Sequence, residues 1–149
     1  MSSDHLSAER DPADRLESAV DAVLSDMRVL FVDDNTLNCR IGHRLFSQLG
    51  AVVECATSGP EALTIAEERE FDVIVLDCAM PGMSGFDVAK RLLRPESKAA
   101  QTPIVALTVS GSQVIRNRAH EAGMNRLLCK PLSREAVLHA IIDDLPGCS

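Results

Sequence analysis

The chain is 149 residues long, enough for one domain with a full core and a short appendage. Its apolar share of 46% suits a globular fold, while four Phe with no Tyr or Trp leave little to stack on bases or sugars. A formal charge of −7 excludes the basic stripe that nucleic-acid binding requires.

That charge is uneven. Residues 1–27 hold Asp4, Glu9, Asp11, Asp14, Glu17, Asp21 and Asp26 against Arg10 and Arg15, a net −5, which leaves −2 for residues 28–149. Within this leader, Asp11-Pro12 is a helix-start signal, and Leu16, Ala19, Val20, Val23 and Leu24 follow at helical spacing. One amphipathic helix cannot bury its own stripe, so it docks on the main domain, pairs with a copy of itself, or meets a partner.

From Arg28 onward strands and helices alternate. Val29-Leu30-Phe31-Val32 is a buried strand ending in Asp33-Asp34; a helix follows with Ile41, Leu45, Phe46 and Leu49 inward, closed by Gly50. Ala51–Cys55 alternates as a second strand, and Ser58-Gly59-Pro60-Glu61 has the capping-box spacing for a helix through about Arg69. Val73-Ile74-Val75-Leu76 is an unbroken apolar run that ends in Asp77 and then in turn residues, Met80-Pro81-Gly82 and Ser84-Gly85. A helix from about Phe86 to Leu93 stops before Pro95. Pro103–Thr108 is a fourth strand, with a helix over Gln113–Ala122 stopped by Gly123. Arg126–Cys129 is a fifth, ending in Lys130-Pro131, and a last helix covers about Ser133 to Asp143, with Ala136, Val137, Ala140 and Ile141 inward. Five βα units with short connections predict a doubly wound five-stranded parallel sheet with an extra N-terminal helix.

Parallel strands present their carboxyl ends at one edge, where open α/β sheets bind ligands. That edge collects Asp33, Asp34, Asp77, Thr108 and Lys130. Two carboxylates at 4 Å repel by about 4 kcal/mol at an effective dielectric near 20, so a divalent cation and the Lys130 ammonium are the natural remedies. All-oxygen ligation selects a hard ion, and Mg²⁺ keeps room for waters and a phosphate. An open Mg²⁺ site, a lysine and a hydroxyl form a receptor for a phosphoryl group, with Asp77 as nucleophile.

The motifs Val32-Asp33-Asp34-Asn35, Leu76–Gly85, Ala106-Leu107-Thr108 and Cys129-Lys130-Pro131, in order and each at a strand end, resemble the receiver domain of bacterial two-component response regulators. The detail is similar to receivers attached to hybrid sensor histidine kinases. The resemblance covers about Met27 to Leu145 and implies a flavodoxin-like (βα)5 fold, with residues 1–26 as leader and 27–146 as receiver. It further implies Asp77 as phosphoacceptor and a Mg²⁺ set of Asp34 (direct), Asp33 (largely through water), Asp77 and the main-chain carbonyl of Ala79. Thr108 becomes a conformational switch, Lys130 pairs with a phosphoryl oxygen, and the bond before Pro131 is cis. The implied phosphodonor is a histidine kinase or a histidine phosphotransfer protein, and a downstream protein of unknown kind reads the state. One departure stands out: Leu127 occupies the position where the family generally has a switch aromatic.

Two rival readings remain open. A Mg²⁺-dependent phosphohydrolase would want a general acid near the nucleophile, yet Ala79 stands two residues after Asp77. An interaction module that works without phosphorylation is kept alive by Leu127. Four scattered histidines suggest no phosphodonor or metal ligand. Cys39, Cys55, Cys78, Cys129 and Cys148 form no ligand pattern and read as free thiols of a reducing cytoplasm, Cys78 as core packing. No apolar run approaches ~18 residues, so no membrane span is expected. The expected protein is a cytoplasmic stand-alone phosphoacceptor, not an enzyme, with homodimerisation as an option.

Overall fold

Each of the five apolar runs forms a strand, and each is followed by a helix. The computed structural model describes residues 23–141. In chain order these are β1 (Arg28–Val32), α1 (Thr36–Gln48), β2 (Val52–Ala56), α2 (Gly59–Glu68) and β3 (Val73–Asp77). Then come α3 (Gly85–Leu92), β4 (Ile104–Thr108), α4 (Gln113–Glu121), β5 (Arg126–Cys129) and α5 (Arg134–Ile141). All pairings are parallel, in the order β2-β1-β3-β4-β5; the expected boundaries are met to within a residue or two, except that the expected end of the last helix at Asp143 lies outside the described residues.

Strands β3 and β4 are buried along their whole length, which is why their sequences are continuous apolar runs rather than alternating ones. The sheet separates two apolar clusters. One joins Leu30, Ile74, Leu76, Ile104 and Ala106 to α2, α3 and α4; the other joins Phe31, Val75, Val105 and Leu107 to α1 and α5. Ala62 and Ala66 on α2 and Ala140 on α5 keep those helices close to the strands.

Local chemistry fixes the helix starts. The Ser58 hydroxyl accepts from the Glu61 amide as the spacing predicts, while the Glu61 carboxylate reaches one residue further back than a capping box requires and accepts from the Thr57 amide at 2.6 Å. The Asn35 side chain accepts from the amides of Leu37 and Asn38, so Asn35 rather than Asp33 or Asp34 caps α1. The two acids are thereby released from that structural duty.

Three expectations need correction or restriction. Ile41 was expected inward but is 40% exposed; Gly42 takes the inner position instead, against the Phe31 ring. A Cβ at Gly42 would lie 2.5 to 2.7 Å from three Phe31 ring atoms, so the helix approaches the sheet there too closely for any side chain. Cys129 is disulfide-bonded rather than a free thiol. The leader helix falls mostly outside the described residues. Of its stripe, Val23 is exposed, while Leu24 is buried beside Phe46 and Leu49 and donates its amide to the Leu49 carbonyl. Among the described residues, no helix is long and apolar enough to cross a membrane.

Candidate phosphoacceptor site

Register decides what meets at the carboxyl edge. Val32 lies opposite Leu76, so Asp33, one residue on, comes level with Asp77. Asp77 lies opposite Leu107, and Thr108 lies opposite Cys129, which brings Lys130 to the same rim. The Asp33 amide donates to the Ala56 carbonyl and the Lys130 amide to the Thr108 carbonyl at 2.7 Å, so the ladder extends one residue past the strands.

Asp33, Asp34, Asp77 and Lys130 converge there, and Thr108 stands at the same rim. Asp33 and Asp77 are buried (0% and 2% exposed), whereas Asp34 is exposed. The three aspartates each offer a carboxylate oxygen within 4.8 Å of the others. The Lys130 ammonium sits 3.1 Å from Asp33 Oδ2 and 3.1 Å from Asp77 Oδ2. The remaining oxygens take main-chain donors: Asp77 Oδ1 accepts from the Ala79 amide at 3.0 Å, and Asp33 Oδ1 from the Asn35 amide at 2.9 Å. The Lys130-Pro131 bond is cis, as the resemblance implied.

The electrostatics are unbalanced. Burial pushes the Asp77 carboxyl up to about 6; the Ala79 amide opposes this, Asp33 adds to it, and Lys130 only partly offsets it. For Lys130, burial alone would depress the ammonium, but its bonds to Asp33 and Asp77 prevail and hold it above its ordinary value. One ammonium is therefore shared between two buried carboxylates with a third acid alongside. Asp33 Oδ2 makes no aligned hydrogen bond despite its contact with Lys130. A buried carboxylate oxygen left in that state, in an all-oxygen cluster, suits a hard cation.

Thr108 is buried but its hydroxyl is engaged elsewhere. It donates to the Ser110 carbonyl at 3.1 Å and accepts from the Ser110 amide at 3.2 Å. Sequence reasoning placed Thr108 at the site and missed this local turn, for which a Thr-x-Ser spacing is a weak signal. The β3–α3 loop closes tightly on Asp77: a Cβ on Gly85 would collide with the Asp77 carbonyl, and the Gly85 amide donates to the Cys78 carbonyl. Cys78 is core packing, its thiol pushed up to about 12 by burial. Leu127 is buried in the cluster with Met124.

A profile of the response regulator receiver domain matches residues 29–142. The chain belongs to the response regulator receiver family. The chain is 32% identical over an alignment of 141 residues to "Probable histidine kinase 2" of Oryza sativa subsp. indica, covering 85% of this chain and 14% of that protein. It is 33% identical over 119 residues to the aerobic respiration control sensor protein ArcB of Escherichia coli, covering 78% and 15%. The chain thus spans only about a seventh of the length of these curated relatives. Among solved structures it is similar to chemotaxis protein CheY4 of Vibrio cholerae (TM-score 0.75, 32% identity, 81% of this chain and 100% of that one). It is also similar to the receiver domain of sensor histidine kinase PA1611 of Pseudomonas aeruginosa (TM-score 0.70, 29% identity, 78% and 94%). That structure has a magnesium ion coordinated in its active-site cleft. The fold is the CheY-like, flavodoxin-like one, and the receiver is homologous to the phosphoacceptor domains of two-component systems.

Proposed function

We propose that Asp77 accepts a phosphoryl group from the phosphohistidine of a histidine kinase or histidine phosphotransfer protein. The observation that carries this reading is the Lys130 ammonium held 3.1 Å from both Asp33 and Asp77, with three carboxylates gathered within 4.8 Å. Asp33, Asp34, Asp77 and the main-chain carbonyl of Ala79 would hold Mg²⁺, whose charge would offset that of the phosphoryl oxygens. An Asp77 carboxylate oxygen attacks phosphorus; the P–N bond to the donor breaks, and the imidazole leaves as the acyl phosphate forms. Lys130 moves from bridging two carboxylates to pairing with a phosphoryl oxygen. Thr108 gives up its bonds to Ser110 and turns its hydroxyl toward the phosphoryl group, shifting the face made by α4, β5 and α5. Phosphorylation moves that equilibrium only so far as the active form holds the phosphate better. The same groups would assist hydrolysis of the acyl phosphate.

In this reading residues 27–146 are the receiver and 1–26 an acidic leader, the protein works in the cytoplasm, and a downstream protein reads the switched face. The test is Asp77→Asn with labelled phosphodonor and Mg²⁺. Labelling disappears from the variant; retained labelling would overturn the assignment.

A second reading, an interaction module that needs no phosphate, is favoured by one observation: Leu127 is fixed in the core with Met124. A receiver whose amide spectrum ignores beryllofluoride would support it.

A further inference from the structure

Cys39 on α1 and Cys55 on β2 are both free thiols, and they meet where the helix packs on the edge strand. The Cys55 thiol donates to the Cys39 carbonyl at 3.5 Å; the Cys39 thiol lies 3.2 Å from the Asp33 carbonyl and 3.7 Å from the Ala56 carbonyl. Because β2 is an edge strand, the pair is not sealed in the core. Thr36, Cys39, Arg40, His43 and Cys55 line a surface cavity of about 470 Å³. Nothing in the phosphoacceptor chemistry uses these thiols or this cavity.

We propose that Cys39 and Cys55 form a reversible dithiol–disulfide couple, oxidised through this cavity by a small disulfide, and that the bridge weakens the acid pocket through Asp33. Cys55 is the entry sulfur, being partly exposed while Cys39 is 6% exposed. Its thiolate attacks the small disulfide, forming a mixed disulfide and releasing one small thiol. The Cys39 thiolate then attacks the Cys55 sulfur and releases the second. Two protein thiols have lost their protons and two electrons, and the small disulfide has become two thiols. Cys39 is buried and Cys55 half-buried, so the exchange is slow.

The coupling follows from one atom. Cys39 gives the Asp33 carbonyl a thiol donor, and a disulfide sulfur has no hydrogen to give. Asp33 is also the buried acid held by Lys130. Without that donor the main chain at Asp33 is less firmly held, and Mg²⁺ binding is expected to weaken by up to about threefold, only a part of the bond's full contribution of about 1 kcal/mol. This second half rests on the Mg²⁺ site proposed above; bridge formation does not.

The full-length protein is equilibrated in glutathione buffers from reducing to oxidising and the remaining thiols are alkylated. Peptide masses are then read, and Mg²⁺ binding is followed by calorimetry on the same samples. A peptide pair joined through Cys39 and Cys55, lost in Cys39→Ser and in Cys55→Ser, is the expected result, and it is independent of phosphorylation. Separate glutathione adducts, or both thiols still alkylatable in the most oxidising buffer, would overturn the couple. A bridged protein with unchanged Mg²⁺ affinity would overturn the coupling alone. Cys39→Ser, whose hydroxyl can still donate to Asp33, is expected to bind Mg²⁺ identically in all buffers; a redox response in that variant would transfer the effect to another cysteine. Failure of both redox states to bind Mg²⁺ would strike the proposed metal site and leave the disulfide result standing.

Discussion

Asp77→Asn is expected to stabilise the metal-free protein at neutral pH. The Asp77 carboxyl stands at about 6 in the fold against 3.8 for the free group. A carboxyl raised on folding contributes stability that is complete below the unfolded value and is lost as pH rises through the folded one. Above about pH 6 the buried carboxylate therefore costs about 3 kcal/mol, at 1.36 kcal/mol per unit. Asparagine removes the charge but has only one oxygen for two donors, the Ala79 amide and the Lys130 ammonium. A lost hydrogen bond of about 1 kcal/mol leaves a net gain of about 2 kcal/mol. Urea denaturation with EDTA at pH 7.5 measures it, and the same comparison at pH 4 should show the gap closed, because the wild-type carboxyl is then protonated in the fold. Saturating Mg²⁺ should stabilise the wild type more than the variant and narrow the gap at pH 7.5. A variant no more stable than wild type without metal, or a gap as large at pH 4, would refute the account of a charge strained by burial.

Lys130→Ala removes the ammonium shared by two buried carboxylates; a loss of about 3 kcal/mol at pH 7.5 without metal is expected by urea denaturation, largely restored by Mg²⁺. Gly85→Ala puts a Cβ into the Asp77 carbonyl and displaces the phosphoacceptor; labelling by a small phosphodonor should fall at least about tenfold. Gly42→Ala meets the fully buried Phe31 ring and should cost about 1–3 kcal/mol in thermal or urea unfolding, with the acid pocket's Mg²⁺ affinity kept. Ser58→Ala opens the cap at the start of α2 and should cost about 1 kcal/mol.

The amino-acid sequence by itself determined the strands, the helices and the edge at which the chemistry gathers. Val73–Leu76, short, unbroken and β-branched, suits a strand covered on both faces, and a parallel sheet must deliver its strand-end residues to one rim. Asp33, Asp34, Asp77, Thr108 and Lys130 were therefore legible from periodicity and position before any coordinates. Tertiary structure decided what periodicity does not encode. Helical spacing points Ile41 inward, but the closeness of α1 to Phe31 gives that place to Gly42. Two acids at a strand end can cap a helix as readily as hold a cation, and only the side chain of Asn35 settled which. Cys39 and Cys55 lie on different elements with no ligand spacing between them; their meeting is a product of how α1 sits on β2. Local pattern fixes what each segment is, because it depends on neighbours in the chain. Contacts between segments depend on the distance of approach, which is set by packing volume and register and is written in no single stretch of sequence.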